Sequence, residues 1–449
     1  MPMTPHDPEP EAARPLTAAE VDAVRADFPY LERPARNGGP LAYLDWAATS
    51  QKPSCVIARE AEFLSLSNGA AGRSTYQIAD EATQAWEDAR AAVAAFVGAR
   101  AAQLVFTKNA TEAINLVALA IGHASLDRPA ARGGAAADDA DPARRLAIRA
   151  GDEIVVTRAE HHANLVPWQE LAARAGASLR WLDLTEDGRI DPGTADVVTD
   201  RTRVLALTHA SNVTGAITPL TDILPAARAA GALVVLDTCQ SAAHLPLDFA
   251  ALSAAGVDAM VLSSHKMLGP TGVGALVATE ELLDAMPPVL TGGSMIEVVT
   301  MESSTYMPGP ARFEAGSQPL AQAAGWHASV DYLARLGMNR LHAGERVLTR
   351  QVLDALAAIE GVRLLGPADT ASRLGVVAFT IDGVHPHDVG QVLDAAGVAV
   401  RTGHHCAQPI HAHFGVASSS RVSFGPTSTP AEADRFLEAV ASVRSYFRR

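Results

Sequence analysis

The chain has 449 residues, 48% hydrophobic and 19% charged, enough apolar material for two or three domains with cores of their own. Its net charge of −14 excludes sequence-independent binding to nucleic acid and attraction to an anionic membrane surface, and no apolar run is long enough to span a bilayer. Three cysteines, Cys55, Cys239 and Cys406, cannot frame a disulfide scaffold, so a reducing cytoplasm is the expected compartment.

Residues 1–16 are rich in Pro, Glu and Ala, lack the basic flank and apolar core of a secretory signal, and are expected to be disordered. Thr17-Ala18-Ala19-Glu20 fits a capping box that opens a helix. The segment 17–40 that follows is expected to pack with the C-terminal domain. Leu41 to Leu44 reads as a short strand and Phe106 as the end of another. Asn109 to Glu112 fits a second capping box before the helical run Ala113 to Ile121. Residues 125–145 are Pro, Gly, Ala, Asp and Arg without apolar periodicity, and predict an exposed, mobile insertion.

From Asp152 strands and helices alternate. Strands are predicted at Ile154–Val156, Val204–Leu207, Leu233–Leu236, Ala259–Leu262 and Ala275–Val277, with helices at Leu165–Arg174 and Leu220–Ala230 between them. Near-continuous apolar strands separated by helices predict a mostly parallel sheet covered on both faces, an α/β domain over 41–320. Beyond residue 320 come helices at Ala321–Leu336 and Leu341–Leu356, strands at Gly375–Ile381 and Val398–Arg401, and a final helix at Ala431–Phe447. This predicts a smaller α+β domain over 321–449.

In open α/β sheets ligands bind beyond the carboxyl ends of the strands. Reading only those ends collects Thr111, His161 with His162, Asn212, Asp237 and Lys266. The chain has only three lysines against 33 arginines, so Lys266 is not there for bulk charge. Flanked by two serines and His265, it is a candidate Schiff-base lysine under a phosphorylated cofactor. Pyridoxal phosphate needs such a set. Ala110 and Thr111 at a helix start, with Ser264 and His265, can hold a phosphate. Asp237 can keep a pyridine nitrogen protonated, His161 can stack on the ring, and Gln240 can bond the phenolic oxygen. The Gly269–Gly274 cluster lacks a P-loop lysine and precedes a strand, which disfavours nucleotide binding. Taken singly, each residue also has a plain reading as a cap, a turn or a polar loop.

A second cluster is Arg401-Thr402-Gly403-His404-His405-Cys406-Ala407-Gln408-Pro409. One thiolate at this spacing matches no standard zinc pattern, so no metal site is expected. The alternative is a nucleophilic thiol on a mobile loop, with imidazoles favouring the thiolate. Cys55 reads as packing and Cys239 as a small buried residue near the cofactor. Arg421, after a Ser-rich turn, has the fork to clamp a carboxylate.

These segments, with Leu44-Asp45-Trp46-Ala47-Ala48, Glu160-His161-His162-Ala163-Asn164, Ser211-Asn212-Val213-Thr214-Gly215, Asp237-Thr238-Cys239-Gln240-Ser241, Ser264 to Gly272, Gly292 to Ile296 and Arg312 to Gly316, make the chain resemble the SUF-system (group II) cysteine desulfurases of the aminotransferase class V family. These are fold-type I pyridoxal-phosphate enzymes. The resemblance runs from about residue 20 to the C-terminus. It implies a large domain with a mostly parallel seven-stranded sheet plus a smaller α+β domain. Lys266 is implied to carry the cofactor and move the Cα proton, and Cys406 to take the sulfur of L-cysteine as a persulfide, releasing L-alanine and then passing sulfur to an acceptor protein. Ala47, Arg73, Asn212, Arg401 and Arg421 are implied around the substrate. Thr291 and Gly292 are implied to reach the phosphate of the partner subunit in a homodimer with shared active sites. Iron–sulfur cluster assembly is the implied destination of the sulfur. Departures stand near the substrate: Gly72-Arg73-Ser74-Thr75-Tyr76 lacks the family's two histidines, Thr427-Ser428-Thr429 replaces its tyrosine-led segment, and Ser317-Gln318 replaces Thr-Pro. Other class V reactions, such as selenocysteine lysis or a biosynthetic elimination or epimerisation, need no sulfur nucleophile. A non-catalytic scaffold would have no use for Lys266, Asp237 and His161 together.

Overall fold

A computed structural model describes residues 13–72, 74–126 and 142–447. Arg73, most of the insertion (127–141) and residues 1–12 lie outside them. The Thr17 capping box forms with both of its bonds. At Asn109 only half of it forms. The Asn109 side chain accepts from Glu112 N, while the Glu112 carboxylate turns to Lys108 N instead.

Seven strands make the large sheet: β1 (Leu104–Thr107), β2 (Glu153–Thr157), β3 (Ser178–Leu182), β4 (Thr202–Thr208), β5 (Leu233–Asp237), β6 (Ala259–Ser263) and β7 (Gly274–Ala278). Their order is β1-β7-β6-β5-β4-β2-β3. The pairs from β6 to β3 are parallel, and β7 runs antiparallel to both β6 and β1. The apolar runs are continuous because both faces are buried. Leu205, Leu207, Val234, Leu236, Met260 and Leu262 enter one core. Val204, Ala206, Val235 and Val261 enter the other, with Ala113, Ile114 and Val117 of the helix Ala110–Ser125. Strand alternation therefore carries Thr208, Asp237 and Ser263 to the face of that helix. β3 was not legible as a strand because Ser178-Leu179-Arg180-Trp181-Leu182 lies at the sheet edge and is mostly exposed there.

A second, antiparallel sheet holds β8 (Val362–Leu365), β9 (Val376–Ile381), β10 (Arg401–Gly403) and β11 (Ser419–Ser423), in the order β8-β9-β11-β10. It packs on the helices Met338–Ala358, Pro386–Ala395 and Pro430–Phe447 through residues such as Val352, Leu393 and Phe436. The strand expected at Val398–Arg401 is two pieces in two sheets. Val398–Ala399 pairs in parallel with Ala42–Tyr43, and β10 starts at Arg401. Ala42 and Leu44 thereby enter the core of the smaller sheet. Asp45 bridges to Ser423, so the chain passes from this sheet directly over the ends of the large one.

Candidate active site

A crevice of about 190 Å³ opens beyond the carboxyl ends of β4, β5 and β6. The large sheet and its flanking loops bring Ala110, Thr111, His161, Asn212, Asp237, Gln240, His265 and Lys266 to it. Ala47 comes from the crossing segment, and Arg401 and Arg421 come from the smaller sheet.

The β5 end places Asp237 at 7% exposure, with Oδ1 accepting from Cys239 N at 2.9 Å. Lys266 sits on a short turn after β6, and no described residue hydrogen-bonds or ion-pairs its Nζ. His161 caps the turn His162–Asn164, its Nδ1 accepting from Ala163 N at 3.1 Å. Burial, then the Lys266 charge, pushes its ring down to about 4, so the ring is neutral at physiological pH. His265 donates or accepts at Thr49 Oγ1 (3.0 Å) and is likewise held down to about 4 by burial and the two nearby lysines, Lys266 and Lys52. Cys239 lines the crevice, and burial raises its thiol well above the ordinary range, which makes it a packing group.

Several expectations need correction. Ser264 does not face the crevice. It falls on the opposite face of the β6 alternation, where its hydroxyl is fully buried without a partner and a Cβ on Gly269 would collide with it. The residue in the crevice is Ser263, whose Oγ accepts from Ala110 N at 3.0 Å. Strand period would have found it. Arg421 is not an open clamp. Its guanidinium already donates to Asn212 O (2.9 Å) and Asp45 Oδ1 (3.0 Å), leaving Nε buried and unpartnered. Arg401 makes no ion pair among the described residues. Asn212 spends its amide nitrogen on His405 O at 2.6 Å. Gln240 Nε2 is similarly taken by Ala47 O (2.9 Å), so its orphaned Oε1 can only accept. Thr291 and Gly292 are exposed on a loop and do not line the crevice. Sequence reasoning missed Asn109, Thr208 and His405, which also line it.

Cys406 stands on the wall of a second, larger cavity of about 1010 Å³ between the helices Ala110–Ser125 and Val166–Ala175. Thr111, His161 and Ala163 border both cavities. Cys406 is half-exposed, unlike Cys239. Among the described residues no cluster of His, Cys, Asp or Glu could hold a metal ion, and no helix is long and apolar enough to cross a membrane.

An unpartnered amine, a buried carboxylate without a cation, a neutral imidazole and a helix N-terminus face one another here. That donor set fits pyridoxal phosphate: an aldehyde for the amine, a pyridinium for the carboxylate, an aromatic face for the imidazole and a phosphate for the helix. Comparison with known proteins agrees. The aminotransferase class-V family pattern matches residues 42–130 and 134–436. A probable cysteine desulfurase 2 of Mycobacterium leprae is 48% identical over 97% of this chain and 99% of its own length. A probable cysteine desulfurase of Streptomyces coelicolor is 44% identical over 95% and 98%. Among solved structures, the cysteine desulfurase CsdA of Escherichia coli superposes with a TM-score of 0.82 at 34% identity, covering 95% of this chain and 98% of its own. The apo cysteine desulfurase of Thermococcus onnurineus superposes at 0.84 with 32% identity, covering 94% and 98%. The chain belongs to the aminotransferase class-V family, alongside the cysteine desulfurases that match it over nearly its whole length.

Proposed function

We propose that this protein is a pyridoxal-phosphate-dependent cysteine desulfurase of the SUF type that acts in a reducing cytoplasm. It takes L-cysteine, leaves the sulfur on Cys406 as a persulfide, releases L-alanine and hands the sulfur to an acceptor protein, with iron–sulfur cluster assembly as the destination. The observation that carries this reading is the convergence of Lys266, Asp237 and His161 on one crevice whose wall, at His161, is shared with the cavity that holds Cys406.

Pyridoxal phosphate, when bound, supplies an electron sink that weakens bonds at the substrate Cα and Cβ. Lys266 would hold it through Nζ, and the same atom, when free, would move the Cα proton of the substrate. Asp237 keeps the ring nitrogen protonated from a site of low water access. His161, neutral, would offer an aromatic face to the ring without adding charge. Ser263, His265, Ala110 and Thr111, which line the crevice together, would hold the phosphate. Arg401 offers the free guanidinium for the substrate carboxylate, and Arg421 joins it when Asp45 yields. Arg73, outside the described residues, belongs to the same substrate set by resemblance. The Cys406 thiolate attacks the substrate sulfur. An S–S bond forms, the Cβ–S bond breaks with its electron pair left on carbon, and a proton completes the methyl group of alanine. Thr291 and Gly292, exposed in one chain, reach the phosphate of a second copy in a homodimer.

Two replacements test the reading. Lys266→Ala abolishes the yellow colour of the lysine-bound cofactor. Cys406→Ser keeps that colour but lowers alanine and sulfide release from cysteine, in the presence of a thiol reductant, by about a hundredfold or more. Release at the parental rate from Cys406→Ser sinks the desulfurase reading. An assay with cysteine and selenocysteine side by side separates it from selenocysteine lysis.

A further inference from the structure

The turn that carries Cys406 is held in a conformation that side chains avoid. His405 and Cys406, neighbours and neither of them glycine, have φ of 51° and 57°. Left-handed backbone crowds the Cβ of such residues against the neighbouring carbonyl, so it persists only where contacts enforce it. Beyond the turn's own segment, three bonds to its main chain do so, beside the His405 ring, whose Nε2 meets Ser419 Oγ at 2.9 Å. Asn212 Nδ2 donates to His405 O at 2.6 Å. His162 N donates to Cys406 O at 2.7 Å. Gln408 N donates to the ring nitrogen Nε2 of His162 at 3.1 Å. Two of the three belong to His162, one at Cys406 O within the strained pair and one at Gln408 N just after it. The ring bond requires a lone pair on Nε2, so it exists only while the imidazole is neutral. In this arrangement His405 faces the crevice of Lys266, while Cys406 shares the outer cavity with His162.

We propose that His162 is a positioning residue for the Cys406 thiol: its main-chain N–H and neutral ring latch the left-handed turn, and protonation of the ring releases the Gln408 side of it. The inference rests on the desulfurase reading, in which the thiol must collect sulfur in the crevice and present it outside. A latch that opens lets the strained turn relax, and relaxation is the movement that exchange between the two places requires. Burial and the like charge of His404 lower the pKa of the ring. The latch therefore holds at neutral pH and opens only as pH falls below the ordinary histidine range. The groups around the ring are His161 on its own turn, His404 and Cys406 on the facing one, and Glu170 and Arg174 on the neighbouring helix. His123 and Arg149 line the same cavity. Glu160 precedes His161 but is turned into the sheet, bonded to Thr157, Asn164 and Thr208.

The test is amide hydrogen exchange, read by mass spectrometry on the peptide containing Gln408, in the cofactor-loaded parent, His162→Ala and His162→Gln. Rates are compared at about pH 7.5 and about pH 5.5 after correction for intrinsic exchange. At the higher pH, His162→Ala loses roughly tenfold protection, while His162→Gln, whose Oε1 can accept the same bond, matches the parent. At the lower pH the parent loses protection and His162→Gln, which cannot titrate, does not. Alkylation of Cys406 by iodoacetamide rises in His162→Ala and is restored toward the parental rate in His162→Gln. Unchanged protection in His162→Ala, or a His162→Gln protein that loses protection in step with the parent, overturns the proposal. Neither readout needs turnover, so failure here is distinct from failure of the parent to release alanine.

Discussion

Glu160 is fully buried and faces three donors, Thr157 Oγ1 at 2.6 Å, Asn164 Nδ2 at 2.7 Å and Thr208 N at 2.7 Å, with no cation beside it. It ties the end of β2 to the end of β4 directly behind His161. Burial outweighs the three bonds and pushes the carboxyl up to about 8. A folded-state pKa raised above the unfolded value of 4.5 means that the native chain binds the proton more tightly. Its contribution to stability is complete below 4.5 and is lost as pH rises through about 8, by about 1.4 kcal/mol per unit for one proton. Thermal midpoints followed between those two pH values fall for the parent more steeply than for Glu160→Gln. Parallel curves would show that Glu160 is not the titrating group. At this scale the sequence offered His161, Lys266 and Asp237 directly, because one residue type at one strand end suffices for each. It could not separate Ser263 from Ser264 until alternation along β6 was taken into account.

Among the elements, β1 and the helix Gln77–Phe96 are joined by a buried ion pair. Arg90 Nη1 and Nη2 meet Glu314 Oε1 and Oε2 at 2.7 Å and 2.8 Å, and Glu314 Oε1 also accepts from Phe106 N. The guanidinium lies over the rings of Trp86 and Phe106. Both side chains are less than a tenth exposed, so removal of Arg90 leaves Glu314 desolvated without a cation, while Arg90 without Glu314 keeps only Glu87 at 3.0 Å and Leu104 O at 2.9 Å. Arg90→Met should cost about 3–5 kcal/mol, read as a lower unfolding midpoint in urea, and Glu314→Gln less, because Glu87 still faces Arg90. Equal stability of Arg90→Met and parent would show that the pair is solvated. A pairing 224 residues apart has no local signature. The same holds for β11, whose Ser-Ser-Arg-Val-Ser sequence reads as a loop. Its five residues are all buried, and its polar side chains find partners only across the fold: Ser419 meets His405 and His411, and Ser423 meets Ala47 N.

For the whole molecule, the crevice exists because the smaller sheet is carried over the strand ends by the Asp45–Ala48 segment, with Ala47 bonded to Ser423 on one side and Gln240 on the other. The hairpin Ile296–Val299 and Ser304–Tyr306 projects from this body with Val298 and Val299 more than half exposed and Met301 97% exposed. It follows Thr291 and Gly292 in the chain. Apolar side chains clustered on a protruding hairpin suit burial against a second copy in the proposed dimer. Replacing Val299 and Met301 together with Asp should shift sedimentation toward monomer at micromolar concentration and weaken cofactor retention. A dimer of undiminished strength would place the interface elsewhere.

Periodicity alone determined the α/β class and its strand-helix alternation, because a strand buried on both faces must be apolar throughout. The chemistry of amine, carboxylate and imidazole at strand ends is what pointed to the proposed cofactor. Tertiary structure decided what depends on partners distant in the chain: that Arg421 is already engaged by Asp45, that Asn212 holds the thiol turn, and that Cys406 stands in the outer cavity. Those are matters of which donors are already spent, and a donor's partner is set by the fold that brings it near.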